Sequence, residues 1–399
     1  MSHTAEPDVV ARSGGRRGIP DLLYSDHEAE LRAAVRSLLE DRCSWRDVLA
    51  RTETSEPYDT SLWRLLAADL GGAGLLVPDE HGGAGASYRE AAVVAEELGR
   101  AVAPVPYLGS AIVATAAVLS AADANLLAVL GDGSVTAALA VPFAAAPGTR
   151  PPVTVRLGGA DAAGTSAGYR LTGSVSCVAD ALPADVLLVP ADGVPFGLYE
   201  VSAGDAGVSR TPVTSLDATR QLADISFDNA NGQLIASGGA AERAIAAALT
   251  AGAAVLAAEQ LGVAERCLDM TVAYVKERHQ FARPVGSFQA IKHRLADLWV
   301  LVTQARAASR YAAACLTAGD PDSQVAVALA KAACSDAALF AAQECVQLHG
   351  GIGFTWDHPP HLYLKRAKSS SIGFGTADWH RHSLAGLADL PAATAGGAR

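Results

Sequence analysis

The hydrophobic pattern of this 399-residue chain changes character twice, and these two changes constrain its fold most strongly. Between residues 25 and 129, apolar side chains recur every three or four residues, which is the spacing of one helix face. Between 134 and 228, short apolar runs alternate with Gly, Pro and Asp, a pattern typical of short β-strands. Helical spacing returns near Ala240 and continues to about Leu387. The order α, then β, then α predicts an α+β protein.

The same changes predict three domains between two tails. We place an N-terminal helical domain at residues 25–132, a central β domain at 133–235 and a C-terminal helical bundle at 236–390. Residues 1–24 are expected to be a disordered tail, and residues 391–399 a second tail. The predicted strands include Val153–Leu157, Val186–Pro190, Gly197–Val201 and Gln221–Phe227.

The composition argues against several functions. A net charge of -11, from 31 basic and 42 acidic residues, disfavours nucleic acid as the main partner. No apolar run reaches the roughly 20 residues that span a bilayer, and the Ala-rich segment Ala244–Ala258 is interpreted as a buried helix, so we expect no membrane partner. The six cysteines form no C-x-x-C pair and the histidines no H-E-x-x-H motif. We therefore predict reduced thiols in a cytoplasmic protein without a metal site.

The segment Glu277–Leu298 carries the first candidate site. It places Arg278, Gln280 and Phe281 at the end of one helix and Gln289 at the start of the next. A guanidinium in this position suits a pyrophosphate, to which it can donate two parallel hydrogen bonds. From the local pattern alone, a surface salt bridge near a helix terminus explains the arginine equally well.

The segment Gln347–Phe354 carries the second candidate site. Gly350, Gly351 and Gly353 would let backbone approach a ligand closely, and their N–H groups could cradle a phosphate. A plain turn between two helices uses glycines for other reasons, and the local pattern alone favours that turn.

Taken together, these segments resemble the acyl-CoA dehydrogenase family. Arg278, Phe281, Pro284, Phe288 and Gln289 match one C-terminal signature of the family, and Gln347, Gly350, Gly351 and Gly353 match its Gln-x-x-Gly-Gly-x-Gly signature. The loop Gly74–Gly85 and the helix ending Glu-Glu-Leu-Gly-Arg-Ala also resemble the family, so the likeness covers about residues 25–390.

The resemblance implies a fold, a cofactor and a substrate class. The implied fold is an N-terminal helical domain, a central β-barrel-like domain and a C-terminal four-helix bundle. The implied chemistry uses FAD, an acyl-CoA thioester, and an electron-transfer flavoprotein or similar acceptor. The residues implied to bind FAD are Arg278, Gln280, Phe281, Gln289, Gln347, Gly350, Gly351, Gly353 and Thr376.

The chain departs from the family where the catalytic base should be. The glutamate that removes the substrate α-proton falls at Phe374, and the alternative base of some members, on the long central helix, falls at Gly252. Neither side chain can accept a proton. A substrate-contacting arginine of some members falls at Ala253. The segments that hold the flavin ring align with Ala140–Pro147 and Val178–Asp180, which lack the family's motifs. We therefore assign no catalytic residue.

Three interpretations follow. The first is an actinobacterial-type subunit without a base, which resembles one chain of heterotetrameric dehydrogenases acting on steroid side-chain CoA thioesters. It would complete the FAD site of a base-bearing partner (α2β2). The second is a self-sufficient homo-oligomer with a displaced base at Asp357, Asp378 or Glu259. The third is a flavin monooxygenase, a non-redox enzyme or a scaffold. The histidines near the predicted site are more typical of packing than of catalysis; they are His349, His358, His361, His380 and His382.

Overall fold

The computed structural model describes residues 20–157, 168–194 and 196–388, so the predicted tail at 391–399 and most of the one at 1–24 lie outside it. The last residues of the N-terminal tail are held against the helices. Arg89 donates a 2.6 Å hydrogen bond to the carbonyl of Asp21, and Arg310 donates one of 3.0 Å to that of Leu22.

The N-terminal part of the chain is helical, as predicted. Its α-helices are α1 (Asp26–Arg42), α2 (Trp45–Thr52), α3 (Thr60–Arg64), α4 (Tyr88–Ala101), α5 (Thr115–Ala121) and α6 (Ala124–Gly131). Ser25 and Ser87 begin α1 and α4 with capping boxes, in which each serine accepts a backbone hydrogen bond and a glutamate three residues later bonds back. A π-helical stretch, Tyr107–Ala114, leads into α5.

The central strands form one open, seven-stranded sheet. They are β1 (Ala137–Leu139), β2 (Val155–Leu157), β3 (Tyr169–Ala179), β4 (Val186–Ala191), β5 (Gly197–Ser202), β6 (Val208–Val213) and β7 (Leu222–Ser237). The order is β1-β4-β5-β7-β3-β2, and β6 also pairs with β7. Among the strand pairs of the described residues, β1–β4 alone is parallel. The sheet does not close into a barrel within the described residues, where β2 reaches the end of β4 only through an Arg156–Asp192 bridge.

The C-terminal part is a bundle around two long helices. It contains α7 (Gly239–Glu277), α8 (Gln289–Ala318), α9 (Ser323–His349), α10 (Pro360–Ser370) and α11 (Ala377–Leu387). A two-stranded hairpin, β8 (His279–Gln280) and β9 (Arg283–Pro284), connects α7 to α8. The α+β class and the α–β–α order are therefore confirmed.

Helix α7 is the centre of the molecule. Length and composition would let it and the segment Ser323–Phe354 cross a membrane, but 83% and 67% of their most apolar windows are buried inside the protein. Glycines let α4 touch α7 backbone to backbone. A Cβ on Gly99 would lie 2.0 Å from the carbonyl oxygen of Glu259, and one on Gly262 would lie 1.8 Å from that of Glu96. Larger residues at these crossings would force the helices apart.

Candidate functional site

The end of α7 presents the first predicted cofactor segment to solvent. Arg278 caps the helix in an extended conformation, and Arg278 and Gln280 are exposed. At the tip of the following hairpin, Phe281 and Ala282 both have positive φ angles, +53° and +62°. Such angles usually require Gly or Asn in a two-residue hairpin. The strained tip holds the Phe281 ring 87% exposed, which points to a role outside the core of this chain.

The three glycines after α9 have different reasons to be glycine. Gly350 has φ +64°, a left-handed conformation that favours glycine at a helix end. A Cβ on Gly353 would lie 2.5 Å from the carbonyl oxygen of Val346, so packing requires glycine there. Gly351 has neither constraint, because its φ is not in the left-handed region and an added Cβ would meet nothing within 4 Å. A plain turn accounts for Gly350 and Gly353 but not for Gly351.

The structure brings these two segments together. Tyr274, one turn before Arg278, stacks on His349, the residue before Gly350, with ring centroids 4.3 Å apart. We call the exposed members of the predicted FAD-binding set in these two segments the cofactor surface: Arg278, Gln280, Phe281, Gln289, Gln347, Gly350 and Gly351. Phe354 and Trp356, beside this surface, are 71% and 61% exposed.

Thr376 lies elsewhere in the chain. Its hydroxyl caps α11 by accepting a hydrogen bond from the backbone of Trp379. The neighbouring carbonyl of Gly375 accepts a hydrogen bond from Lys331, and Lys331 is separated from His349 by roughly 27 Å of helix. Within one chain, Thr376 is therefore not part of the cofactor surface.

The two positions to which the family resemblance assigns a base, Gly252 and Phe374, are in direct contact. A Cβ on Gly252 would lie 2.7 Å from Cζ of Phe374, so the phenyl ring occupies the space beside the glycine. The ring is 4% exposed and packs edge-to-face on Phe143, with centroids 5.6 Å apart. The Phe374 N–H also donates a 2.8 Å hydrogen bond to the carbonyl of Phe143. We call Phe143 and Phe374 the aromatic plug.

The other departures from the family pattern line the same place. A small cavity of about 20 Å³ lies beside the aromatic plug. Its walls include Pro142, Ala179 and Asp180 as well as the two rings of the plug. Such a volume holds a water molecule or two. The Asp180 carboxylate accepts hydrogen bonds of 2.7 Å from the Tyr58 hydroxyl and 2.9 Å from the Gly109 N–H. Burial raises the pKa of Asp180, against the opposing effect of Arg220.

A buried network of charges lies behind the aromatic plug. Arg220 and Arg366 both bind the Glu259 carboxylate, and Arg366 also pairs with Asp217 at 2.9 Å. Burial acts to raise the pKa of Glu259, but the two arginines hold it below its ordinary value. The Arg220 guanidinium also lies 5.4 Å from the centre of the Phe143 ring. The network joins the β domain to α7 and α10 next to the plug.

Lys331 and His380 hold the loop that carries Phe374. The Lys331 ammonium donates to the Ser335 hydroxyl at 2.8 Å and to the carbonyls of Ser370 and Gly375 at 3.2 and 3.3 Å. Burial lowers the pKa of Lys331 to about 7. His380 bonds the Phe374 carbonyl through Nε2 at 2.8 Å, and burial lowers its pKa to about 4.

None of the candidate displaced bases is placed for proton transfer beside the plug. Asp357 and Asp378 are exposed, and Asp378 pairs with Arg381 at 3.0 Å. Glu259 is neutralised by two arginines. His358 and His361 have pKa values lowered by burial, and His382 is exposed. The sequence pattern marks Phe143 and Asp180 only as parts of segments without the family's motifs, and it does not single out Arg220, Lys331 or Arg366. Their partners are distant in sequence and no local spacing marks them.

Comparison with known proteins matches two family models. The model described as "Acyl-CoA dehydrogenase, N-terminal domain" matches residues 25–125, and the one described as "Acyl-CoA dehydrogenase, C-terminal domain" matches residues 242–386. The chain is 38% identical over 343 residues to acyl-CoA dehydrogenase IpdE2 of Mycobacterium tuberculosis, covering 86% of this chain and 91% of the relative. It is 32% identical over 392 residues to FadE27 of the same organism, covering 93% and 100%.

Two solved structures are similar over nearly their whole length. The ChsE4–ChsE5 complex from Mycobacterium tuberculosis gives a TM-score of 0.81 at 28% identity, covering 94% of this chain and all of the matched one. A variant of the Tcur3481–Tcur3483 steroid ACAD gives 0.79 at 30% identity, covering 92% and 99%. Each of these two structures is named as a pair of proteins.

Proposed function

Because this chain belongs to the acyl-CoA dehydrogenase family, we propose that it is one subunit of an FAD-dependent enzyme that introduces an α,β double bond into an acyl-CoA thioester. In this proposal the chain lacks a catalytic base of its own and completes the FAD site of a homologous, base-bearing partner. The single observation that carries the proposal is the contact of Phe374 with Gly252.

This contact removes both the base and the space for it. Neither a phenyl ring nor a glycine accepts a proton, and the ring fills the volume beside Gly252. The Phe374 N–H is bonded to the Phe143 carbonyl, and the Phe374 carbonyl is bonded to His380. These two hydrogen bonds fix the backbone that carries the ring. The small cavity beside the plug is far below the several hundred Å³ typical of a cofactor or ligand pocket. The chain's own ring-binding half therefore does not suit a flavin.

The cofactor surface suits the other end of FAD. The Arg278 guanidinium is exposed and can bind a pyrophosphate through two hydrogen bonds. Gly351 leaves its backbone open to a ligand, and Gln289 and Gln347 offer amide groups. When bound, FAD would supply the acceptor for hydride from the substrate β-carbon. The residues of this chain would bind and orient the cofactor, while a partner supplies the base.

The exposed aromatic residues support completion by another chain. Phe281, Phe354 and Trp356 would leave a large apolar area in water if the chain stood alone. A homologous partner covering them would also bring its own β domain to the flavin. The paired chains named in the two similar structures favour a partner of this kind.

The substrate class in the proposal comes from the relatives. The Tcur3481–Tcur3483 structure is called a steroid ACAD, and it shares 30% identity with this chain. We therefore propose a steroid-derived or similarly bulky acyl-CoA thioester, with electrons passing to an electron-transfer flavoprotein or an equivalent acceptor.

The visible absorption spectrum tests this function. The chain purified alone should carry little flavin, and co-expression with a base-bearing homologue should give a flavin-loaded complex that dehydrogenates acyl-CoA. A full flavin spectrum from the chain alone would overturn the partner proposal and favour a self-sufficient dehydrogenase or an oxygen-using flavoenzyme. Oxygen consumption with a reductase would separate those two.

Two variants of the complex test the cofactor surface. Arg278→Ala should lower flavin occupancy, whereas Arg64→Ala, at an exposed arginine on α3, should not. Gly351→Ala should also lower occupancy while leaving thermal stability unchanged, because its Cβ has open space within this chain. Gly386→Ala is the matched control, since its Cβ meets nothing in α11 either. Full flavin content in both Arg278→Ala and Gly351→Ala would refute the cofactor assignment.

A further inference from the structure

A cluster of aromatic and titratable side chains lies directly beneath the cofactor surface. Tyr274 stacks on His349 at 4.3 Å with a 23° angle between the rings, and His358 lies 5.0 Å from His349. Tyr274 is in the last turn of α7 and His349 is the last residue of α9. The stack therefore joins the ends of the two helices that carry the predicted cofactor segments.

Both ends of the stack touch those segments. The carbonyl of Tyr274 accepts the Arg278 N–H at 2.9 Å, so the tyrosine's turn sets where the arginine leaves the helix. A Cβ on Gly353 would lie 3.1 Å from Cβ of His349, so the glycine turn folds back onto the histidine. A change in the distance between the two rings would change the distance between Arg278 and the glycine turn.

His349 is fixed by one ring nitrogen and leaves the other without a partner. Its Nδ1 donates to the carbonyl of Cys345 at 2.6 Å, and the side chain is buried. Its Nε2 is buried without a hydrogen-bond partner among the described residues, as is Nδ1 of the neighbouring His358. A buried ring nitrogen of this kind is normally satisfied by a protein group, a water or a ligand.

The electrostatics of the two helix ends favour a positive charge at His349. The C-terminal ends of α7 and α9 carry partial negative charge, which disfavours a phosphate. Arg278 offsets this charge at the end of α7, and His349 is the basic residue in the last turn of α9. A protonated histidine at a helix C-terminus is among the stronger interactions of this kind.

We propose that Tyr274 and His349 form a clamp that positions Arg278 and the Gly350–Gly353 turn for the pyrophosphate of FAD, with His349 supplying positive charge at the end of α9. The clamp rests on the proposed function above. Both residues are positioning residues, because the structure places them beneath the surface and not on it.

The groups that face His349 set the direction of its titration. They are Cys345 on its own helix, Cys267 and Tyr274 on α7, and His358 before α10, with Arg46 of α2 acting on His358. Burial acts to lower the pKa of His349, but Cys345 raises it above the ordinary value. Bound pyrophosphate would raise it further. FAD should therefore bind more tightly as pH falls through this pKa.

The affinity of the apo complex for added FAD tests the clamp. Tyr274→Phe and His349→Phe keep a stack, whereas Tyr274→Leu should weaken FAD binding about 2- to 10-fold, the value of one aromatic pair. His349→Phe should hold FAD at high pH nearly as wild type does, but should lose the tightening at low pH. Circular dichroism and size-exclusion chromatography check folding and assembly, and the two Phe variants remain informative if the Leu variant misfolds.

The outcomes separate the clamp from the function on which it rests. If Arg278→Ala weakens FAD binding but Tyr274→Leu does not, or His349→Phe keeps the wild-type pH profile, the clamp is wrong and the cofactor surface stands. If Arg278→Ala and Gly351→Ala both bind FAD normally, the cofactor surface and the clamp are both overturned.

Discussion

At the scale of single residues, the most informative contact is the one between Phe374 and Gly252. Taken singly, each is only a non-acidic residue at a position where the family resemblance implies a base. Together they are a packing unit, since the ring takes the volume that only a glycine leaves free. Phe374 also has φ +51°, an uncommon conformation for a bulky residue. A conformational cost at this position indicates that the surrounding contacts hold the ring in place.

Adding one methyl group tests this unit. Gly252→Ala should lower the free energy of unfolding by about 1–3 kcal/mol, because its Cβ would sit 2.7 Å from the Phe374 ring. Gly252→Ala combined with Phe374→Leu should cost less than the sum of the two single changes, since leucine lacks the clashing ring atoms. Urea unfolding measures all three variants, with Gly386→Ala as the control. Additive costs would show that the ring and the glycine do not depend on each other.

At the scale of elements, the loop between α10 and α11 depends on a buried lysine. Lys331 donates to two carbonyls of this loop, at Ser370 and Gly375, and has no ion-pair partner among the described residues. Burial lowers its pKa from 10.5 to about 7. Between these two values the unfolded chain holds a proton that the folded protein lacks. The stability contributed by this group therefore rises with pH across the window and is lowest below about pH 7.

Lys331→Met should remove this pH dependence. The free energy of unfolding of the variant minus that of the wild type should fall by roughly 2 kcal/mol between pH 7 and pH 9. Urea unfolding at the two pH values gives this difference, and other titrating groups cancel in it. Lys276→Met, at an exposed lysine on α7, is the control and should give a flat difference. A flat difference for Lys331→Met would mean that the lysine stays protonated in the fold.

The elements themselves were largely predictable from sequence. The helical spacing predicted between residues 25 and 129 corresponds to α1–α6, and that from Ala240 to about Leu387 corresponds to α7–α11. Helical spacing and capping are local signals, so these elements could be found without the fold. The predicted strand at Gln221–Phe227 is only the first half of β7, because the rest of that strand is shared with β5 and its pairing is not visible locally.

The candidate site was predictable only in part, for the same reason. Arg278 and the glycine turn stand in recognisable local motifs, and the structure adds the stack of Tyr274 on His349 that joins the two segments. Thr376 was grouped with them because of sequence likeness, yet it lies far from them within one chain. The charge network was invisible, since Arg220, Glu259 and Arg366 are separated by 39 and 107 residues and have no shared spacing.

At the scale of the whole molecule, the proposed function places a partner over the exposed aromatic residues. Phe354 is 71% exposed beside the cofactor surface, in a position where a partner's contact would bury it. Large aromatic side chains of this kind often supply much of the binding energy of an interface.

Phe354→Asp should therefore weaken association. We expect the dissociation constant of the assembly, measured by analytical ultracentrifugation, to rise by about 30-fold or more, which corresponds to the roughly 2 kcal/mol of a hot-spot residue. Val194→Asp is the matched control, because Val194 is fully exposed in the turn after β4. Unchanged association of Phe354→Asp would place the interface on a different face of the molecule.

The aromatic plug also has a consequence for evolution. A Phe374→Glu reversal would put a carboxylate among Phe143, Gly252 and the other apolar walls of a cavity with room for little more than a water molecule. An unpaired buried charge is costly, so the first step back toward catalysis would lower stability before it restored any activity. Phe143 and the flavin-facing loops would have to change as well. Under the proposed function, a lost base would therefore be hard to regain, and selection would keep the chain for what it does for its partner.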